Sequence, residues 1–237
     1  MNKAILSLAA LILLPASALA DPEPRTFNAT VPASNLDSIE LDANVGSVFI
    51  EGGDGDQVII EVVLKANDSW HSSDEDAARR IQAAELHKEV HGKTLRLSLD
   101  YRNSGNGESL NEEWTIKMPA SLRGIYELNV GEMEIIGMAA DIEAEVNVGE
   151  LDIRSLKGDI KAEVNVGEID IESATASPGD MDLSVNIGDT RLRINGERIE
   201  GDRSGWVGAD TKHDAGGDDD IEAEVNVGEI RVEVDND

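Results

Sequence analysis

Ile142-Glu-Ala-Glu-Val-Asn-Val-Gly-Glu-Leu-Asp-Ile-Arg154 decides the fold. Ile142, Ala144, Val146 and Val148 alternate with Glu143, Glu145 and Asn147. A period of two puts the apolar set on one face of a strand, and that face is expected to be buried. Gly149-Glu150 interrupts the alternation, and Leu151 and Ile153 resume it on the opposite parity. A parity flip at a glycine predicts a corner, with the glycine in a backbone conformation that other residues avoid. Lys157-Gly158-Asp159 marks a second break before the next strand opens at Ile160.

The same unit recurs along the chain. Its Asn positions are Asn44, Asn129, Asn147, Asn165, Asn186 and Asn226, and its corner glycines are Gly46, Gly131, Gly149, Gly167, Gly188 and Gly228. From Asn129 onward the spacings are 18, 18, 21 and 40 residues, so a degenerate copy is expected between Asn195 and Asp220. A unit of this length cannot bury its own apolar face, whereas stacked on like units it can. The predicted fold is therefore all-β: a single-stranded parallel β-solenoid of Gly-punctuated repeats of about 18 residues. An antiparallel β-sandwich is the competing arrangement. Near-identical side chains recurring in register favour the solenoid, because like stacks on like. Four residues past Glu150, Glu168, Asp189 and Glu229, the acids that follow the corner glycines, Arg154, Glu172, Arg193 and Glu233 alternate in sign, as neighbouring coils would want. Two residues past the corner acids, Glu134, Asp152, Asp170, Arg191 and Arg231 do not alternate.

Residues 51–120 differ. Val58 to Lys65 reads as a strand. Ser72 and Glu75 have the spacing of a capping box, and a helix is expected from Asp74 to about Ala84. Leu86, Lys88 and Val90 alternate, and His91-Gly92 reads as a hairpin turn into Leu95, Leu97 and Leu99. Trp114, Ile116 and Met118 form a strand that stops at Pro119. The expected organisation is a leader over 1–20 and one domain over 21–237. Within it, 21–120 hold the first coil and the helix–hairpin insertion near 74–101, and 121–237 hold the regular repeats.

The leader reading rests on Lys3, the apolar run Ala4 to Leu14, Pro15, and Ala18-Leu19-Ala20 as an A-x-A cleavage site. Its loss removes one Lys and takes the formal charge from −29 to −30. Eleven apolar residues are too few to span a bilayer, and no later run is longer, so no transmembrane segment is expected after cleavage. An exported protein follows: periplasmic as the first reading, secreted or surface-held as the alternative. With 20 Lys+Arg against 49 Asp+Glu, the chain lacks the basic footprint that nucleic acid requires. Zero Cys excludes disulfides, thiolate metal sites and a Cys nucleophile.

The order of these parts resembles a known family. A first Gly-containing strand pair is followed by a short helix and hairpin. A strand ending in Pro (Trp114-Thr-Ile-Lys-Met-Pro119) comes next, and serial strand–Gly–strand units close the chain. This is similar to the bacterial "putative adhesin" family of unknown function, also described as toastrack-type β-solenoid domains, over about Phe27 to Val234. The resemblance implies a β-solenoid in an envelope or secreted protein and brings no catalytic residues.

The candidate chemistry centres on the corner acids Glu132, Glu150, Glu168, Asp189 and Glu229. Stacked in register they would lie about 5 Å apart, where like charges repel or recruit a cation. Ca²⁺ takes six to eight oxygen ligands, so these five are the metal candidates; the competing reading is that they splay into water and keep the molecule soluble. Gly52-Gly53-Asp54-Gly55-Asp56 and Asp214 to Asp220 lack the spacing of known calcium loops and read as turns. The Asn positions read as a side-chain amide ladder. His87 and His91 fall on a strand, roughly 13 Å apart, and do not read as a metal pair. Trp114 reads as core, with Trp70 and Trp206 in polar contexts. Without a G-x-S-x-G elbow, a phosphate loop or a dinucleotide fingerprint, the chain does not read as an enzyme. The leading expectation is a non-enzymatic module of the cell envelope that binds a surface protein or glycan through repetitive acidic β faces. It has no cofactor. The alternative is a Ca²⁺-dependent binder using the corner acids, and a polysaccharide-acting enzyme comes third.

Overall fold

The computed structural model describes residues 22–67, 74–101, 110–201 and 208–235. The leader with Ala18 and Ala20, Trp70, His71, Ser72, the 103–107 loop and Trp206 lie outside these residues. In chain order the first elements are β1 (Arg25–Pro32), β2 (Ser38–Gly53), β3 (Gln57–Ala66) and the helix α1 (Asp74–Ala83). Next come β4 (Glu85–His91), β5 (Thr94–Asp100), β6 (Leu110–Pro119) and β7 (Arg123–Met138). The remainder are β8 (Ile142–Ser155), β9 (Ile160–Ser173), β10 (Pro178–Ile194), β11 (Glu197–Ile199), β12 (Ala209–Asp214) and β13 (Asp219–Val234).

Among the described residues the molecule is mostly β, with one helix. Its centre is a run of long bent strands, all parallel, in the order β2-β7-β8-β9-β13-β10. Each strand is two arms joined at the predicted corner. On the first arm Ile142, Ala144 and Val146 are buried, and on the second Leu151 and Ile153 are. The register is the one the repeat demands. Val146 faces Val164, Gly149 faces Gly167 and Ile153 faces Ile171. Burying one such aliphatic side chain contributes roughly 1.5–3 kcal/mol, and each added strand repeats that gain.

Both ends of this run are covered by chain that is not repeat. At one end β5 pairs with the first arm of β2 and β6 with its second arm. β6 pairs on to β3 and β3 to β1. The β4–β5 hairpin turns at Gly92 as predicted, with φ +65°. Trp114 and Tyr126, the largest fully buried side chains, pack near this end. The strand β1 was not expected, although Phe27, Ala29 and Val31 alternate with Asn28 and Thr30.

Three expectations are corrected. Among the described residues between Asn195 and Asp220 there is no further repeat. There β11 and β12 pair antiparallel with β10 and cover its outer side. The chain then returns and inserts β13 between β9 and β10, so Val234 is buried and the last strand is not a sheet edge. The insertion also rearranges the charge rows. The order becomes Arg154, Glu172, Glu233, Arg193, with Glu172 beside Glu233 where alternation had been expected. Finally, Val148 and its equivalents are not on the buried face. Val130, Val148, Val166, Val227 and Ile187 are 43, 46, 47, 42 and 52% exposed. The corner starts before the glycine, so the last apolar residue of each first arm is already turned outward.

Candidate interaction surface

The corner needs glycine for two separate reasons. Its φ lies between +140° and +150° at Gly131, Gly149, Gly167, Gly188 and Gly228, a region that residues with a Cβ rarely adopt. The neighbouring strand also leaves no room. A Cβ on Gly149 would sit 1.7 Å from the carbonyl oxygen of Gly131.

Just before the glycine, the backbone register passes from Val146↔Val164 to Val148↔Val166 and leaves out the Asn pair. The side chains continue where the backbone does not. Asn186 Nδ2 donates to Asn226 Oδ1 (2.7 Å), Asn226 to Asn165 (2.7 Å), and Asn165 to Asn147 (2.7 Å). Asn147 then donates to Asn129 (2.9 Å) and Asn129 to Asn44 (3.1 Å). All six predicted ladder residues are joined, and every donor points the same way. The ladder ends on Glu112, a buried carboxylate that sequence reasoning missed. Glu112 accepts from Asn44, from Trp114 Nε1 (2.6 Å) and from the Tyr101 hydroxyl. Burial pushes its carboxyl above the usual range, and these donors pull it back only in part. Its one sequence signal was an acid on the wrong parity of a strand whose Trp114, Ile116 and Met118 point inward. This acid is buried, 1% exposed.

A second ladder was also missed. At the far turn Asp159 N–H donates to Asp141 Oδ1 (3.3 Å), Asp220 N–H to Asp159 Oδ1 (3.0 Å) and Asp180 N–H to Asp220 Oδ1 (2.7 Å). The carboxylates of Asp141, Asp159 and Asp220 therefore tie neighbouring turns together. The Asp214 to Asp220 cluster, read as a turn, supplies part of this ladder.

The corner acids are brought into one row in the order Glu132, Glu150, Glu168, Glu229, Asp189. Glu132, Glu150 and Glu168 are exposed, while Glu229 and Asp189 are half-buried. Arg231 answers part of this charge, with Nη1 3.1 Å from Glu168 and Nη2 2.8 Å from Glu229. Among the described residues no group of three or more acids or histidines is arranged to hold a metal ion. His87 and His91 lie on β4, as expected for strand positions.

Both outer faces carry ion pairs: on the first arm Arg123 lies 3.2 Å from Glu143, Arg96 2.9 Å from Glu40, and Lys212 pairs with Asp182. On the second arm the rows mix signs and pair: Arg154 lies 2.5 Å from Glu134 and 3.4 Å from Glu172, and Arg231 lies 3.6 Å from Asp170. On the first arm Asp42, Glu127, Glu145, Glu163 and Glu224 stand side by side on five successive strands. Lys161 reaches this row, 2.7 Å from Glu163. Partial burial, then Asp42 and Glu145, push the Glu127 carboxyl above its usual range. Burial and Asp170 do the same to Asp152 on the second arm.

No protein-family model matches the chain, and no curated protein does. Solved structures do. A putative cell adhesion protein from Clostridium sporogenes superposes with a TM-score of 0.55 at 18% identity, covering 90% of this chain and 100% of that one. A putative adhesin from Bacteroides fragilis matches over 90% of this chain and 99% of its own, with a TM-score of 0.36 at 12% identity. The chain thus shares the fold of the Clostridium sporogenes protein.

Proposed function

We propose that the protein is an exported, non-enzymatic interaction module of the bacterial envelope, built as a two-sided β-solenoid. Its binding surface is the acidic outer face of the first arm. The observation that carries this reading is the row Asp42, Glu127, Glu145, Glu163, Glu224. Like charges directly opposite one another on neighbouring strands destabilise a sheet. Mixed signs would serve the fold better, and neighbouring rows on both arms use them. A face that keeps its repulsion is suited to a cationic partner, a surface protein or a glycan carrying amines. The fold shared with a putative cell adhesion protein supports the same role. The leader-like residues 1–20 support export, with the periplasm as the first location.

The test is a binding measurement on Glu127→Gln/Glu145→Gln/Glu163→Gln against isolated envelope fractions, with a set of cationic glycans and proteins as defined probes. Binding lost in a variant that melts no lower than the parent supports the reading. Unchanged binding overturns it. Fractionation and N-terminal sequencing of the mature protein test export and cleavage after Ala20.

A further inference from the structure

Eight large apolar residues are exposed among the described residues, and five of them form one row: Val130, Val148, Val166, Val227 and Ile187. Carboxylates stand on both sides of the row, three of them already ion-paired: Glu163 with Lys161, and Glu168 and Glu229 with Arg231. Toward the first arm, beyond the Asn ladder, stand Glu127, Glu145, Glu163 and Glu224. Toward the second stand Glu132, Glu150, Glu168, Glu229 and Asp189. An apolar stripe about 19 Å long therefore runs between two lines of carboxylates, at ~4.8 Å per strand.

We infer that this ridge docks a cationic amphipathic helix of a partner protein, its apolar stripe on the valines and its flanking Lys or Arg on the two carboxylate lines. The inference rests on the acidic-face reading and adds the partner's chemistry. Three features carry it. The first is charge: an apolar stripe flanked by acid on both sides is the complement of an apolar stripe flanked by base on both sides. The second is spacing. A helix offers one apolar side chain per turn, ~5.4 Å apart, close to the ~4.8 Å strand repeat, whereas an extended segment repeats at ~6.8 Å on one face. About four helical turns cover the five residues. The third is the exclusion of the other apolar occupant. A second copy would bring its own formal charge of −29 and carboxylate lines against these.

The experiment uses the purified protein and an 18-residue Leu/Lys peptide whose leucines fall on one helical face. A scrambled isomer of equal composition is the control. Binding is read by fluorescence anisotropy, for wild type and for Val148→Thr/Val166→Thr/Val227→Thr, which keeps β-branched side chains at exposed positions. The expected result is at least tenfold tighter binding of the patterned peptide than of the scrambled one, with that difference removed by the threonine variant. Equal binding of both peptides, unaffected by threonine, overturns the ridge and leaves the acidic face standing. Binding of neither overturns both. A wild-type dimer in light scattering that the threonine variant dissolves also overturns the proposal, because the ridge is then covered by a second copy.

Discussion

Asn44 donates both its backbone N–H and its side-chain amide to the buried carboxylate of Glu112. Six amides that all point one way therefore end on a charge, and the positive end of the last dipole faces it. Glu112→Leu leaves Trp114 Nε1 and the Asn44 amide to find new partners. A cost of ~1–3 kcal/mol is expected for each donor left unpaired. Urea unfolding measures it, with Glu113→Gln, which gives up only its half-exposed pair with Lys65, as a control expected to cost no more than about 1 kcal/mol.

The ladder should respond by position. Asn147→Ala strips a donor from Asn129 and an acceptor from Asn165, whereas Asn186→Ala removes only the terminal bond to Asn226. At these solvated positions each bond is worth roughly 0.5–1 kcal/mol. The loss at Asn147 should be about twice that at Asn186. Equal losses would mean that the amides act independently of the ladder.

Two glycines make a matched pair. Gly149→Ala meets the Gly131 carbonyl and a φ of +147°, and should cost on the order of 3 kcal/mol or more. Gly53→Ala meets nothing within 4 Å and should leave the melting temperature within a degree or two.

Acid should stabilise this protein before it harms it. Glu112, Glu127, Asp152 and Asp180 all have carboxyls held above their ordinary range, by burial or, at Asp180, chiefly by Asp214. In the window between the ordinary carboxylate value and the raised one, the folded state binds more protons than the unfolded state. The stability they contribute is present below that window and lost as pH rises through it. The thermal midpoint should therefore rise as pH falls from 7 to about 5. Glu127→Gln should raise the midpoint at pH 7 and flatten the profile.

The corner acids can be tested directly. In a thermal scan with EDTA, then with Ca²⁺ and Mg²⁺ at equal ionic strength, both ions should give the same small rise, from screening. A Ca²⁺-specific rise of several degrees would establish a site linked to folding and promote the ion-dependent reading.

Much of the strand pairing was legible because each repeat states it twice, once in its alternation and once in its glycine. Gly149 and Gly167 were expected to face one another, and they do. The helix and the β4–β5 hairpin were legible from a cap-like start and from His91-Gly92. Strand order was not. β13 carries the same Val-Asn-Val-Gly-Glu as β9, and identical strands fit any slot, so nothing local says that Ile221 lies beside Ile160 instead of beyond Ile194. Glu112 was hidden for a related reason. Its partners Asn44 and Tyr101 are distant in sequence, and an acid in a strand normally means a solvent face.

Local pattern determined the bent strand, the corner, the amide ladder and the acid rows, because each depends on residues a few positions apart or on the same position in like repeats. The tertiary structure alone decided where the last strand goes and which side chains close the ends. It also decided that Val148 and its equivalents face water. Those outcomes follow from which surfaces remain open once the other strands are in place, a property of the whole stack and of no single repeat.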